Sequence, residues 1–520
     1  MRLKNQIGKK LLLVWLICIL SIPASAFGKE ANSQSDDLVC QKLDEIKKID
    51  AVRTLHSPDL LINRCGTSLD RKLVAATEMT NSSNQGIKDP LTEIAKRKNR
   101  SVLTAFKFVR DMQMGNYQSA LQSTSSALQK GISEQWIEAY WNTLPLQLNA
   151  GSFIGFGAVE LKKSNPVHTN VEIGLIFEKA TVPIMVRLDP SGKVDDFLVN
   201  IQLSPTVAGE PSYSHPNSFT EKEIVIGEGP FALPGTLSVP KGKGPFPTVV
   251  LVQGSGASDK DETAYALKPF RDLAQGLASK GIAVLRYNKR TFEHSVKTMT
   301  DLNHTVDKET TDDALLAVRF LQSEKKIDNS RIYILGHSQG GMMVPQMLNK
   351  DERQNIAGAI VMGGPARTIQ DVVMDQFDYL LSIGQLTPEL HTFMKGQFEL
   401  LNDPNFSGEN PPVGFQLGQV VFWNSIRKIK AAEMAKEQTD PLLIIQGQRD
   451  YQVVSNFEIP IWKEQLANRN NVDYRLYPKL NHFFTEGEGT MSRPEEYFIP
   501  TNIPEYVIND IADWIQSNPK

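Results

Sequence analysis

Cysteine, excess charge and long apolar runs are all scarce in this sequence. Only 3 of the 520 residues are cysteines, and Cys40 and Cys65 have no histidine pair nearby with which to form a zinc site. The 56 basic and 59 acidic residues leave a formal net charge of −3, and no basic run is interleaved with aromatic residues. The sequence therefore disfavours nucleic-acid binding, and we expect no metal and no nucleic-acid partner.

The first 26 residues have the pattern of a signal peptide. Basic residues up to Lys10 precede an apolar run at 11–20, and Ala24-Ser25-Ala26 is a small-x-small cleavage site. The apolar run is shorter than the roughly 20 residues that span a bilayer, which favours a cleaved signal over a membrane anchor. We expect a soluble periplasmic or secreted protein, in which Cys40 and Cys65 either form a disulfide or remain free thiols.

Composition and periodicity divide the rest of the chain into four parts. A polar segment with a weak helical period is followed by a domain of helices and then strands, a linker rich in Pro and Ser, and a domain in which strands alternate with helices. In order, these parts cover residues 27–99, 100–203, 204–219 and 220–520. The last pattern predicts a mostly parallel sheet covered by helices on both faces.

The domain at 100–203 is predicted to be a small α+β domain. Helices are predicted at 102–112, 121–128 and 133–141, the last with Ser133 as its cap, and strands at 155–161, 171–177, 181–188 and 194–202. This domain resembles the nuclear-transport-factor-like domains found in front of some bacterial hydrolases. The resemblance is carried by Gly115-Asn116-Tyr117, Trp136, Trp141 and the turn Asp189-Pro190-Ser191-Gly192. Both tryptophans are expected in its core rather than around a ligand.

The main chemical motif is Gly336-His337-Ser338-Gln339-Gly340-Gly341, between a predicted strand at 331–335 and a predicted helix at 342–348. Such a tight strand-to-helix turn strains its central residue and exposes the hydroxyl above the sheet, while glycines two before and two after leave room for the crossing chains. The alternative is an incidental turn serine. The strand–helix context favours Ser338 as a catalytic nucleophile.

A serine hydroxyl needs a base, and the base needs a carboxylate that orients it. In this type of fold the acid and then the histidine follow the serine along the chain. His482 follows the predicted strand 474–477 and is preferred to His391, which no strand precedes. Asp450 follows the predicted strand 442–445, whereas Asp440 precedes it and Asp473 lies at the start of the strand that leads to His482.

An oxyanion hole needs two backbone N–H groups that point at the developing charge. One is expected from Gln339, directly after the nucleophile. The other is expected from the loop after the predicted strand 248–252, which reads Gln253-Gly254-Ser255-Gly256. We select Ser255 as this donor, although the loop could also be an ordinary glycine turn.

Together these residues resemble the bacterial α/β-hydrolase esterases related to dienelactone hydrolases. The resemblance covers about residues 219–518 and includes Arg286-Tyr287-x-Lys289-Arg290, Gly363-Gly364-Pro365 and Gly447-x-x-Asp450. It implies an α/β-hydrolase fold with a mostly parallel sheet and a helical cap, preceded by the small α+β domain. It also implies hydrolysis of a small-molecule ester through an acyl-enzyme, without a metal or organic cofactor. Gln253 departs from the histidine that many relatives have there.

The cap is predicted at about 366–440, because the roughly 75 residues between Gly364-Pro365 and Pro441 are too many for a simple crossover connection. Its aromatic residues could line an acyl pocket or simply hold the cap onto the sheet, and the sequence favours neither. They are Phe377, Tyr379, Phe393, Phe398, Phe415, Phe422 and Trp423.

Two other functions remain open at this point. A serine peptidase or amidase could use the same triad, but residues 27–215 have no repeat period typical of the propeller in related peptidases. A catalytically inert envelope-binding protein is the third possibility, and the intact order of serine, acid and histidine disfavours it.

Overall fold

A computed structural model of the chain describes residues 99–199, 204 and 206–518. These residues form two compact units, one up to residue 199 and one from residue 204. The predicted signal peptide and the two cysteines, Cys40 and Cys65, lie outside the described residues, as does nearly all of the polar segment. None of the described helices is both long enough and apolar enough to cross a membrane.

The first unit begins with helices and continues with an antiparallel sheet, as its sequence predicts. The N-cap Ser133 accepts a hydrogen bond from the backbone N–H of Trp136 at 3.2 Å, and so starts the third helix. The helices are α1 (Arg100–Gln113), α2 (Tyr117–Gln122) and α3 (Glu134–Gln147), with a 3₁₀ turn at Leu128–Lys130.

The four strands of this unit pair in sequence order, each antiparallel to the next. They are β1 (Phe153–Leu161), β2 (Thr169–Phe177), β3 (Thr181–Leu188) and β4 (Val194–Val199). Trp136 is buried in the core as expected, whereas Trp141 is half-buried and packs edge-on against Phe153. The last predicted strand residues, 200–202, lie outside the described residues.

The second unit contains an eight-stranded sheet in the order β12-β11-β10-β9-β7-β8-β6-β5. The six strands from β12 to β8 in this order pair in parallel, and β6 and β5 are antiparallel at one edge. This confirms the predicted α/β-hydrolase fold. The strands are β5 (Phe219–Ile226), β6 (Leu233–Pro240), β7 (Phe246–Val252), β8 (Ala283–Tyr287), β9 (Ile327–His337), β10 (Ile356–Met362), β11 (Leu442–Gly447) and β12 (Val472–Tyr477).

Three of these strands, β5, β6 and β10, were not predicted from the sequence. β5 is an edge strand whose centre is charged and exposed, and β6 carries two prolines and a glycine, which mask a strand pattern. The linker, predicted at 204–219, ends one residue earlier in the structure, because Phe219 already belongs to β5. In β10 the small residues Ala357, Gly358 and Ala359 weaken the signal for a strand.

Both faces of the parallel sheet are covered by helices, which explains why its strands are continuously apolar. Along β7, Val249 and Leu251 join the core on one face, while Val250 and Val252 join the core on the other. The helices outside the cap are α4 (Pro269–Ser279), α5 (Arg290–Glu293), α6 (Ser295–Met299), α7 (Asp312–Leu321), α8 (Gln339–Met342), α9 (Val344–Lys350), α14 (Ser455–Gln465) and α15 (Glu505–Ser517).

The predicted cap is helical and lies between β10 and β11. Phe377, Phe398 and Trp423 are buried in the same apolar cluster as residues of the sheet, so these three hold the cap in place. The cap helices are α10 (Ile369–Ser382), α11 (Pro388–Leu401), α12 (Val420–Ile426) and α13 (Ala431–Ala435).

Candidate active site

Ser338 lies in the predicted strained turn between β9 and α8. Its backbone has φ of +53° and ψ of −120°, a conformation that costs energy in a residue with a side chain. A hydrogen bond of 3.0 Å from its N–H to the carbonyl of Met362 holds this turn against the end of β10. Ser338 directly follows β9, at the carboxyl end of that strand, and is half-buried.

The glycines around Ser338 are required by close backbone contacts, as the motif predicts. A Cβ atom at Gly340 would lie 2.7 Å from the carbonyl oxygen of Gln253 and would collide with the Val252 carbonyl. One at Gly336 would meet the backbone of α8, with the N atom of Gly341 at 2.7 Å. Any larger residue at either position would therefore push β7, β9 and α8 apart.

Asp450 and His482 meet at the same edge of the sheet. Asp450 follows β11 and His482 follows β12, and the His482 Nδ1 atom is 2.8 Å from the Asp450 Oδ2 atom. Both residues are almost completely buried, with 0% and 2% of their surfaces exposed. The loss of Asp450 would therefore leave the buried Nδ1 of His482 without this partner.

The other contacts of Asp450 determine which nitrogen of His482 carries a proton. Its Oδ1 accepts the N–H groups of Gln452 and Val453 at 2.7 and 2.9 Å, and its Oδ2 accepts the side-chain amide of Gln446 at 3.1 Å. An ionised carboxylate only accepts hydrogen bonds, so His482 must donate from Nδ1. In the neutral imidazole this leaves Nε2 as the acceptor, the form that a general base requires.

Consecutive strand ends bring Ser338 to the edge where this pair lies. A Cβ atom built at Gly363, directly after β10, would lie 3.7 Å from both the Asp450 Oδ2 and the His482 Nδ1 atoms. The ring of His337, next to Ser338, is 4.7 Å from the ring of His482. Within residues 206–518, no hydrogen bond joins the Ser338 hydroxyl to His482. Such bonds are often long before a substrate is bound.

The two selected oxyanion donors belong to segments next to Ser338: Gln339 follows it in the chain, and Ser255 follows Gly254, which lies close to it. Gln339 is the first residue of α8, so its N–H has no acceptor within the helix. Ser255 is exposed in the loop after β7. The neighbouring Gly254 approaches Ser338 closely, since a Cβ built on it would lie 3.5 Å from the Ser338 Oγ atom. The N–H of Gly254 is already bound to Glu262, so it is not a free donor.

A buried acid and histidine, which the sequence analysis missed, connect this loop to the serine turn. Glu262 Oε1 accepts the Gly254 N–H at 2.7 Å, and its Oε2 forms an ion pair of 3.0 Å with His337 Nδ1. The other ring nitrogen of His337 donates to the carbonyl of His482 at 3.0 Å. Burial by itself lowers the pKa of His337, but Glu262 and the His482 carbonyl raise the pKa above its usual value.

A second buried group, also missed, lies beside the same loop. Lys289 Nζ donates to the Gly254 carbonyl at 2.6 Å and pairs with Glu309 Oε1 at 2.6 Å. His304 and the Gln339 side chain also bond to Glu309, at 2.9 and 3.2 Å. Burial by itself raises the pKa of Glu309, but Lys289 and His304 lower the pKa to about 2. Only Lys289 had drawn attention in the sequence, within a motif without an assigned role.

The rejected candidates have other partners. His391 in the cap bonds to Asp378 at 2.5 Å. Asp473 accepts the indole N–H of Trp514 at 3.0 Å. Asp440 directly precedes Pro441 at the amino end of β11, opposite the end that carries Asp450.

The eight-stranded sheet, the strained serine turn and the buried acid–histidine pair define an α/β hydrolase. The sequence profile of the alpha/beta hydrolase fold family matches residues 247–487. Esterase EstD of Thermotoga maritima is 38% identical over 412 residues, which cover 79% of this chain and 94% of that protein. The chain therefore belongs to the α/β-hydrolase family and is an enzyme of the esterase type.

Two solved structures are also similar to parts of the chain. The Pyrococcus furiosus esterase Pf2001 is 17% identical with a TM-score of 0.38, over 62% of this chain and 100% of that one. Est1E from Butyrivibrio proteoclasticus is 18% identical with a TM-score of 0.37, over 57% of this chain and 98% of that one.

Proposed function

We propose that the protein is a serine esterase that hydrolyses small-molecule carboxylic esters through an acyl-enzyme, with Ser338 as nucleophile, His482 as base and Asp450 as orienting acid. The hydrogen bond between Asp450 and His482, beside a serine held in a strained turn, carries this proposal. The esterase relative, matched over 94% of its length, supports the substrate class.

The chemistry follows from the proton positions. His482 Nε2 takes the proton of the Ser338 hydroxyl while the oxygen attacks the ester carbonyl, and Asp450 stabilises the imidazolium that results. The N–H groups of Gln339 and Ser255 would bind the negatively charged oxygen of the tetrahedral intermediate. Collapse of the intermediate breaks the ester bond, and His482 gives its proton to the departing alcohol. Ser338 is then acylated.

The second half of the reaction repeats these steps with water. His482 Nε2 takes a proton from a water molecule, which attacks the acyl-enzyme carbonyl and forms a second tetrahedral intermediate. This intermediate breaks the bond to Ser338, whose oxygen recovers the proton from His482. The carboxylic acid leaves, and none of these steps draws on a metal or an organic cofactor.

The test compares the wild-type protein with Ser338→Ala on p-nitrophenyl acetate and butyrate. We expect that the substitution abolishes turnover while thermal unfolding is unchanged. Ser279→Ala is the matched control, because Ser279 ends α4 near the amino end of the following strand, away from the site. Equal turnover by Ser338→Ala and the wild type would contradict the proposal. Aminoacyl p-nitroanilides test the peptidase alternative in the same assay.

We also propose that the enzyme acts in the periplasm or outside the cell. The signal-peptide pattern of residues 1–26 supports this location. Cell fractionation followed by N-terminal sequencing should find a protein that begins at Phe27 in the envelope or the medium. An uncleaved protein in the cytoplasm would contradict it. The likeness of the first unit to nuclear-transport-factor-like domains remains a proposal too, supported by its helices and four-stranded sheet.

A further inference from the structure

The backbone of Gly254 is held between two buried charged side chains. Its N–H donates to Glu262 at 2.7 Å, and its carbonyl accepts from the ammonium of Lys289 at 2.6 Å. Glu262 and Lys289 are only 4% and 1% exposed. The peptide that follows Gly254 carries the N–H of Ser255, so these contacts fix the orientation of that N–H.

The effect of Lys289 on Ser255 follows from the geometry of the peptide group. In a trans peptide the carbonyl of one residue and the N–H of the next point in opposite directions. Lys289 holds the Gly254 carbonyl on one side, and the Ser255 N–H is therefore directed to the other. An ammonium bound to the carbonyl also polarises the peptide and makes its N–H a stronger donor.

Lys289 is connected through Glu309 to the side chain of Gln339, the residue whose backbone N–H is the other selected donor. The same Glu309 oxygen that pairs with Lys289 accepts the side-chain amide of Gln339 at 3.2 Å. Glu309 lies in a π-helical turn, Asp307–Thr311, a distortion that is common at functional sites. The pair thus joins the loop after β7 to the first residue of α8.

A purely structural role explains this arrangement less well. A buried ion pair is weak evidence for stability, because apolar residues of similar volume are often equally stable or more so. Lys289 also bonds to the one carbonyl whose peptide contains the Ser255 N–H. Lys297 offers a comparison within the chain, since it is 4% exposed and donates at 2.6 Å to the Pro230 carbonyl, whose peptide contains neither donor.

We propose that Lys289 and Glu309 are positioning residues of the oxyanion hole: Lys289 orients the Ser255 N–H toward the developing negative charge, and Glu309 holds both Lys289 and the side chain of Gln339, whose backbone N–H is the second donor. This inference rests on the proposed function. It adds a requirement that the triad alone does not make. A charged pair that has no hydrogen bond to the nucleophile should influence transition-state binding and leave substrate binding unchanged.

The test measures kcat and KM for p-nitrophenyl butyrate, and Ki for butylboronic acid, whose adduct with the serine is a tetrahedral anion. We expect Lys289→Met and Glu309→Gln to lower kcat about 100-fold, the order of loss for a misplaced or missing oxyanion donor. The Ki of the boronic acid should rise by a similar factor, while KM stays within about twofold, because ground-state contacts are unchanged.

Controls separate this effect from loss of the fold. Lys297→Met removes another buried ammonium and its bond to a carbonyl, and we expect kcat and the boronic acid Ki near the wild-type values. If Lys289→Met unfolds, the double variant Lys289→Met/Glu309→Gln leaves no unpaired buried charge and decides the question by the same measurements. Thermal unfolding is recorded for every variant.

The outcomes distinguish the inference from the proposed function. If the wild type turns over the ester and Ser338→Ala does not, but the folded Lys289 variants behave like Lys297→Met, the positioning inference is wrong and the esterase proposal stands. If the wild type itself has no turnover, the proposed function is wrong and the inference falls with it. A selective loss of kcat and boronate affinity supports the inference.

Discussion

Replacing Asp450 with asparagine should reverse the direction of its hydrogen bond with His482, while the shape of the side chain is preserved. The Oδ1 position accepts two backbone N–H groups, from Gln452 and Val453. An asparagine oxygen must occupy this position, since an NH₂ group there would face two donors. The NH₂ group then takes the Oδ2 position and faces His482 Nδ1, so Nδ1 must become an acceptor and Nε2 must carry the proton. His482 can then no longer act as a base toward Ser338.

The expected loss of kcat can be judged from the change of the His482 tautomer. In serine hydrolases of known mechanism the same substitution lowers kcat about 10,000-fold, which is about 5 kcal/mol in the activation free energy. Asp450 is fully buried, so water cannot replace the lost interaction. We expect Asp450→Asn to lower kcat for p-nitrophenyl butyrate by a similar factor, measured in steady-state turnover.

The matched control for this prediction is Asp440→Asn, near the amino end of the strand that Asp450 follows. Its kcat should remain close to that of the wild type. A folded Asp450→Asn variant that kept more than about a tenth of wild-type kcat would contradict the reversal of the His482 tautomer, because a reversed tautomer cannot support that rate.

Three further predictions concern stability. Gly340→Ala should destabilise the protein by about 3 kcal/mol in thermal or urea unfolding, because its Cβ collides with strand β7; Gly396→Ala, with open space around it, should not, and equal stability of the two variants would contradict the clash. The pKa of Glu309 is about 2 in the folded protein and 4.5 in the unfolded chain, which predicts a contribution on the order of 3 kcal/mol to the free energy of unfolding. This contribution is present above pH 4.5 and is lost as the pH falls toward 2. Glu309→Gln should make the melting temperature less dependent on pH over this range, and the same pH dependence as in the wild type would contradict the prediction. Ser133→Ala should cost about 1 kcal/mol in unfolding of the first unit, since it removes the cap of α3, and no change would mean that the cap is not formed in solution.

Local sequence was sufficient where the determining contacts are local. The serine turn was predictable because Gly336 and Gly340 stand at fixed distances from Ser338, between a strand and a helix pattern. Asp450 and His482 were selected because each follows a strand of a parallel sheet, and the carboxyl ends of such strands share one edge. The structure joins these two by a hydrogen bond.

The groups that support the site were not predictable in this way. Glu262, Lys289 and Glu309 meet only because the loops after β7 and β8 and a π-helical turn converge around Gly254. No periodicity links residues so far apart in the chain. Strand β6 was missed for a different reason. Its two prolines disfavour a strand in the local sequence, but its pairing with β8 in the sheet outweighs this local preference.

The role of Ser338 can be tested most directly by trapping it. The intact protein is treated with a fluorophosphonate, digested, and the modified peptide is identified by mass spectrometry. The nucleophilic role of Ser338 predicts one adduct, on this residue, that is absent in Ser338→Ala and strongly reduced in His482→Ala, since the base activates the hydroxyl. A folded wild-type protein that stays unlabelled, or an adduct on a different residue that persists in Ser338→Ala, would contradict it.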